Sequence, residues 1–102
     1  MSKLAAVAKQ LTSSGAVTTV GTPGRLHGYS LKCGTDANAS VTFLDGGNGG
    51  TARWQDGNIL STTAAGDSYI RCTFPTPIQF TTDIYAVLTG TNSILSVEYE
   101  ET

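Results

Sequence analysis

Apolar and polar residues alternate with a period of two along most of the chain after Gly15. Tyr29, Leu31 and Cys33, for example, share one face of such a run, with polar residues between them. Successive side chains of a strand point to opposite sides, so this period is typical of strands with one buried face. No segment after Gly15 has the 3.6-residue period of a helix. The pattern therefore predicts strands and excludes a parallel α/β fold.

Turn signals rich in Gly, Pro, Asn and Asp divide these runs at intervals of about 8 to 12 residues. The predicted strands are residues 16–20, 25–33, 40–44, 58–62, 68–74, 78–80, 84–88 and 94–99. The predicted turns include residues 21–24, 56–57, 65–67 and 90–92. Pro75 and Pro77 predict a sheet edge or a break in pairing, because proline has no backbone N–H. The prediction is an all-β fold, an antiparallel, jelly-roll-like β-sandwich of seven or eight short strands.

The first 14 residues follow a different pattern and predict a short N-terminal arm. Their apolar residues fall at the i, i+3, i+4, i+7 spacing of a helical stripe: Leu4, Val7, Ala8 and Leu11. An isolated helix of about eleven residues is marginal in water, so we expect a frayed arm or one that orders against a neighbouring subunit. The predicted organisation is an arm, residues 1–14, and a sandwich domain, residues 15–102.

The composition fits one small domain with few charges. The chain has 102 residues, and only 14% of them are charged, compared with about 25% in typical proteins. A surface of this kind loses little hydration when a neighbour covers it, which favours contact with partner proteins. A thin sheet protein with many turns would have the same composition, so both interpretations stay open.

The charges argue against nucleic-acid and membrane partners. The formal net charge is -2, and the six basic residues are scattered, whereas a phosphate backbone calls for a clustered basic patch. The sequence has no transmembrane run, and Lys9 and Gln10 interrupt the apolar N-terminal stretch that a secretory signal would need. We therefore expect a protein that is made in a cytoplasm and kept there or released by lysis.

Two cysteines, Cys33 and Cys72, lie in alternating apolar segments. They are either free thiols packed in strands or a disulfide between neighbouring strands. A structural zinc site needs four ligands, and two cysteines with the single His27 do not supply them. No metal or cofactor is expected.

The glycine-rich stretch FLDGGNGGTARW, residues 43–54, has the look of a ligand cradle. A P-loop requires a Lys after its last glycine, and a dinucleotide fingerprint requires a following helix; neither is present. The calcium nonapeptide requires an Asp at the position of Thr51. The remaining interpretation is a turn, residues 45–50, whose Asn and Gly tolerate positive φ. Its glycines leave it free to move unless a neighbour fixes it.

The sequence offers no catalytic constellation. Any Ser-His-Asp or Cys-His arrangement must use His27, which lies on a predicted strand. The aspartates are predicted in turns, where Asp bonds its own backbone: Asp36, Asp45, Asp56, Asp67 and Asp83. Glu98 and Glu100 are predicted on the solvated face of the last strand. The chain is therefore not expected to be an enzyme.

Trp54, beside Arg53, allows three interpretations. It is a core or rim residue of the domain, an interface anchor, or a platform for a sugar. Trp and Arg are enriched at the energetic centres of interfaces. Candidate partner contacts are the apolar residues of the arm and the residues in and after the glycine loop: Leu4, Val7, Leu11, Asp45, Asn48, Arg53 and Trp54.

The order of several short motifs is similar to that in a group of small virion proteins of tailed bacteriophages. The motifs are SGAV (14–17), GRLHGYSL (24–31), FLDG (43–46), NIL (58–60), GDSY (66–69), PTPIQFTTDIYAVLTGT (75–91) and SVEYE (96–100). The resemblance covers residues 14–100. The glycine-rich loop and the arm depart from the usual pattern of the group.

The resemblance implies a compact β-sandwich that sits on phage particles. Proteins of this look are capsid decoration (cement) proteins or head and tail accessory proteins, without catalytic residues. The expected partners are the major capsid protein and copies of the chain itself, as a homotrimer. The expected location is the capsid surface of the virion, after synthesis in the bacterial host cytoplasm. The arm would order on a neighbouring subunit.

Two other interpretations remain at this point. In one, the chain is a tail or particle-surface module that binds host glycans on a platform of Trp54 with Tyr29, Tyr69 or Tyr85. In the other, the chain is an unrelated small β-sandwich and the resemblance is accidental.

Overall fold

The computed structural model describes residues 7–34, 38–58 and 69–102, and these form an all-β sandwich. The strands are β1 (Val7–Leu11), β2 (Gly15–Ala16), β3 (Gly24–Lys32), β4 (Ala39–Asp45), β5 (Thr51–Asn58), β6 (Tyr69–Phe80), β7 (Ile84–Thr89) and β8 (Ile94–Glu101). Sheet A has the order β1-β8-β3-β6, and sheet B has the order β2-β7-β4-β5. All neighbouring strands pair antiparallel. The predicted all-β sandwich is therefore confirmed.

The core fills the space between the two sheets. Its fully buried large side chains come from both of them: Leu26, Leu31, Val41, Phe43, Phe80, Ile84 and Leu95. Ring contacts across the gap show that β3 lies over β4 and that β6 lies over β5: Tyr29 packs on Phe43 and Trp54 packs on Phe74. Within the residues that the structure describes, the sandwich therefore has two open sides, one between β5 and β6 and one between β1 and β2.

The predicted helical stripe is wrong where the structure describes it, because Val7–Leu11 is a strand on the edge of sheet A. It pairs with β8 from Val7↔Tyr99 to Leu11↔Leu95. The β8 backbone offers partners that an isolated segment lacks, and this long-range pairing overrides the local spacing. Leu4 lies outside the described residues.

Pro75 and Pro77 lie in β6, an edge strand of sheet A, as predicted. Pairing of β6 with β3 breaks here, because Leu26 pairs with Ile78 whereas Gly28 pairs with Thr73. The two predicted strands 68–74 and 78–80 are thus one interrupted strand. The prolines need no ladder partner because their stretch lies outside the paired register.

Other boundaries also differ from the predictions. Asp56 and Gly57, predicted as a turn, continue β5, because they pair with Val41 and Ser40 of β4. The predicted strand 16–20 is reduced to Gly15–Ala16. The predicted turn at 90–92 is confirmed, with φ of 104° at Gly90 and 59° at Asn92. Residues 59–62 of a predicted strand, the predicted turn at 65–67 and Asp36 lie outside the described residues.

Candidate functional site

The glycine stretch is the turn between β4 and β5, as predicted. Gly46, Gly47 and Gly49 have φ of 107°, 75° and 104°, the left-handed region that favours glycine. Gly50 N–H donates to Gly47 O at 3.0 Å, which closes the turn.

Asp83, 5% exposed, fixes this turn to a second loop. Its Oδ1 accepts hydrogen bonds from Gly46 N at 3.2 Å and Gly47 N at 2.8 Å. Its Oδ2 accepts one from Gly21 N at 2.9 Å, in the loop before β3. The prediction that Asp83 bonds its own turn is therefore wrong, and the turn has a neighbour that fixes its backbone.

Asp45, 8% exposed, fixes the segment between β6 and β7 to the end of β4 in the same way. It accepts hydrogen bonds from the backbone N–H groups of Thr81 and Thr82, from the Thr81 hydroxyl and from Arg53 Nη2. Burial alone would raise the pKa of Asp45, but the hydrogen bonds from Thr81, Thr82 and Arg53 outweigh it and lower the pKa to about 2. Asp45 is therefore an internal clamp and not a turn residue bonded to itself.

Trp54 points into the gap between the sheets. Its Nε1 donates to the Tyr29 hydroxyl at 2.7 Å, and its ring meets Phe74 edge-on at 4.9 Å between centroids. The Tyr29 hydroxyl in turn donates to Asp56 Oδ2 at 2.5 Å. Burial and the neighbouring Asp56 carboxylate raise the pKa of Tyr29 above its ordinary value. These three polar groups close the open side between β5 and β6.

The outward face of sheet A carries the ionisable side chains of the sandwich faces: Arg25, His27, Lys32, Arg71, Glu98 and Glu100. Glu100 was predicted on a solvated face, but it is only 6% exposed. Its Oε1 lies 3.3 Å from Arg25 Nη1 and 2.9 Å from His27 Nε2, and these side chains cover it. Glu98 is exposed, as predicted.

The outward face of sheet B, in contrast, carries no charged residue at the regularly paired positions of the described strands; Arg53 lies at the β5 bulge and pairs with Asp45. Its positions follow from the alternation along paired strands. They are Ala16, Ser40, Thr42, Leu44, Ala52, Gln55, Tyr85, Val87 and Thr89. Leu44, which is buried, and the half-buried Tyr85 and Val87 give the face an apolar centre, with hydroxyl and amide groups around it. We call this set of residues the neutral face.

The sequence-predicted contact residues do not form one surface. Val7 and Leu11 lie on the open side between β1 and β2, where Val7 is 49% exposed and Leu11 packs against the core. Arg53 and Trp54 lie on β5, at the opposite side of the sandwich. Asn48 is exposed in the glycine turn, whereas Asp45 is buried.

The neutral face is the surface that the sequence reasoning missed. A signal for it exists, because the residues at the outward positions of β4 and β7 are all uncharged. Recognising it as one surface requires the strand order. The Ser40 and Thr89 hydroxyls, 49 residues apart, share a hydrogen bond there.

Cys33 and Cys72 are free thiols; Cys33 is buried and Cys72 half-buried. Among the described residues, no group of three or more His, Cys, Asp or Glu side chains is placed to hold a metal ion. No helix in that part of the chain is long and apolar enough to cross a membrane.

Comparison with known proteins gives no match to a family model, to a curated protein or to a solved structure. The class defined by the fold is a small antiparallel β-sandwich with one ionic face and one neutral face.

Proposed function

We propose that the chain is a non-enzymatic structural protein of a tailed-phage virion, a capsid decoration protein that binds the assembled shell. The observation that carries the proposal is the neutral face. A surface without charges gives up little hydration when a partner covers it, whereas every buried charge would need a partner of its own. Its apolar centre, Leu44, Tyr85 and Val87, and its hydroxyl rim have the anatomy of a protein interface.

The resemblance to phage virion proteins supports the same proposal. The motif GRLHGYSL lies in β3, FLDG ends β4, and SVEYE lies in β8. The shared pieces therefore include the strands that build both sheets. A protein that binds the assembled shell more tightly than the loose subunit favours the mature particle by mass action. The partners in this proposal are the major capsid protein and copies of the chain as a homotrimer.

The sheet edges favour contact through a face. Lys9 on β1 points inward and its Nζ donates to Ala16 O at 2.9 Å. β6 carries two prolines, β5 carries a bulge at Arg53, and β2 has two residues. Inward charges, prolines, bulges and short strands all hinder edge-to-edge pairing. The arm that the sequence predicted as a shell contact contributes, at Val7, an exposed apolar residue of β1.

The proposal includes no catalytic step. His27, the sole histidine of the chain, contacts the Glu100 carboxylate through Nε2, which is a salt-bridge geometry and not the activation of a nucleophile. The protein is proposed to act at the capsid surface after synthesis in the bacterial host cytoplasm.

The structure gives no support to a glycan platform built on Trp54. Tyr29 is 4% exposed, and its hydroxyl accepts the Trp54 hydrogen bond between the sheets. Tyr85 belongs to the outward side of sheet B, whereas Trp54 shares the inward side with Phe43. The side chain of Tyr69 lies outside the described residues.

Co-sedimentation with particles purified from a lysate tests the neutral face. Val87→Glu places a charge at the centre of this face, and Gln10→Glu places the same charge on the outward side of β1. We expect Val87→Glu to weaken binding about tenfold or more, because the buried carboxylate would lose its hydration without gaining a partner. Gln10→Glu should bind like wild type. Equal binding of both folded variants would contradict docking through the neutral face.

A further inference from the structure

A concave groove of about 280 Å³ crosses the outward face of sheet A. Two rows of paired residues form it. One row is Ala8, Glu98, Gly28 and Thr73, and the next contains Ser96, Ser30 and Arg71. Arg71 lies on β6 and Glu98 on β8, and the small side chain of Ser30 lies on β3 between their strands.

Gly28 lies in the middle of the first row, between Glu98 and Thr73, where β3 and β6 approach closely. A Cβ at this position would lie 2.6 Å from Cys72 O and 3.2 Å from the Thr73 Cα, so the backbones of β3 and β6 leave no room for a side chain. The close approach of β3 and β6 therefore requires glycine at this position, and it lies beside the pairing break at Leu26/Gly28. A groove built this way is present before any ligand arrives.

The polar groups of the groove are available to a ligand. Within the part of the chain that the structure describes, Arg71 and Glu98 form no ion pair, and the hydroxyls of Ser30, Thr73 and Ser96 form no hydrogen bond. Each hydroxyl can both donate and accept, Arg71 only donates, and Glu98 only accepts. β3 separates the strands of Arg71 and Glu98, so their Cα atoms lie roughly 11–12 Å apart.

We propose that this groove binds a carboxylate-bearing sugar unit, of the uronic-acid type, in a surface polysaccharide. The sugar carboxylate accepts hydrogen bonds from the Arg71 guanidinium, and sugar hydroxyls donate to Glu98. The remaining sugar hydroxyls form hydrogen bonds with the hydroxyls of Ser30, Thr73 and Ser96. This function is independent of shell binding. It uses the face opposite the neutral face, so a decorated particle would present the groove to solvent.

Other ligand classes fit less well. Apolar groups also line the groove, at Ala8, Tyr29, Cys72 and Val97, but a purely apolar ligand would leave the charges of Arg71 and Glu98 without partners. A phosphate backbone would meet one Arg together with the Glu98 carboxylate. A peptide held by strand addition needs an open sheet edge, whereas the groove lies across the middle of the sheet. A saccharide needs neither backbone pairing with a strand nor an apolar pocket.

The test is a titration of the ¹⁵N-labelled full chain with sodium glucuronate, followed by amide chemical shifts at constant ionic strength. The range extends to roughly 50 mM, above the millimolar dissociation constant typical of a shallow polar site. Glucose serves as the matched neutral sugar, and acetyl-Asp-Gly-Lys-amide serves as a charged peptide. We expect glucuronate to shift the amides of Gly28, Ser30, Arg71 and Ser96, with much weaker effects from glucose.

Two variants assign the carboxylate contact. Arg71→Gln should weaken glucuronate binding about tenfold, the loss of one charge-assisted contact. Lys32→Gln removes a charge from the same sheet outside the groove and should leave the binding unchanged. The absence of shifts with glucuronate, equal binding of glucose, or binding of the peptide alone would each overturn the proposal.

Discussion

Trp54 Nε1 donates a 2.7 Å hydrogen bond to the Tyr29 hydroxyl, and this bond joins sheet B to sheet A. The same hydroxyl donates to the Asp56 carboxylate, so one phenol is bonded to two residues of the edge strand β5. Among the described strands, β5 and β6 are each the last strand of their sheet. The polar cluster therefore joins the edge strand β5 to β3 across the gap between the sheets.

Tyr29→Phe should lower the free energy of unfolding by about 1–3 kcal/mol. The change keeps the buried ring and removes only the hydroxyl, which leaves the Trp54 N–H and the Asp56 carboxylate without their shared partner. Chemical denaturation followed by Trp54 fluorescence measures the effect. Tyr85→Phe, on the neutral face, is the matched control and should change stability by less than about 0.5 kcal/mol. Equal effects of the two changes would show that the cluster contributes no more than a surface hydroxyl.

Asp45 should make the protein sensitive to acid between about pH 4 and pH 2. Its folded-state pKa is about 2, below the value of about 3.9 expected in an unfolded chain, so the ionised form stabilises the fold above pH 4. This stability, about 1–3 kcal/mol, is lost as the pH falls through the folded-state pKa. Urea unfolding at several pH values should show that the free energy of unfolding falls less steeply with decreasing pH for Asp45→Asn than for wild type. Glu98→Gln removes an exposed carboxylate and should keep the wild-type slope.

Asp83 should control the order of the two loops that it joins. Asp83→Ala removes the acceptor of three backbone N–H groups and should cost about 2–3 kcal/mol of stability. Native-state hydrogen exchange should show faster exchange at Gly21 and Gly47. Asp83→Asn keeps one carbonyl oxygen as an acceptor. If this oxygen faces Gly47, only the Gly21 amide should exchange faster than in wild type. Unchanged exchange at both glycines in the Ala variant would refute the clamp.

Lys9 should prevent pairing through the β1 edge. Its side chain faces inward and bonds Ala16 O. A strand that paired with the β1 edge would therefore meet a charged side chain where it needs an apolar contact. Lys9→Val should therefore give a higher average mass than wild type at equal concentration in light scattering after size exclusion. Lys9→Arg keeps the inward charge and should behave as wild type. A Lys9→Val protein with the wild-type mass would show that the edge is protected in another way.

The period-two pattern predicted much of the sandwich because its core residues repeat within single strands. Val41 and Phe43 of β4 are both fully buried, as their alternation indicates. The turn at Gly90–Asn92 could also be predicted from its own residues, since glycine and asparagine tolerate its positive φ values.

The errors came from contacts that are distant in the sequence. The strand β1 forms because β8, near the other end of the chain, pairs with it, and its local spacing resembles a helix. Asp45 and Asp83 were predicted as self-bonded turn residues, yet they clamp segments 36 to 62 residues away. The neutral face is visible only once β7, β4 and β5 are known to be neighbours. Local propensity carries no information on these pairings.

The central claim is that the protein decorates the head of a phage particle. Immunogold electron microscopy on particles from a lysate, with antibody to the whole chain, tests it most directly. Gold spread evenly over the heads is the expected result. Gold at one vertex or along the tails would contradict decoration in favour of an accessory role, and particles without gold would contradict a place on the virion altogether.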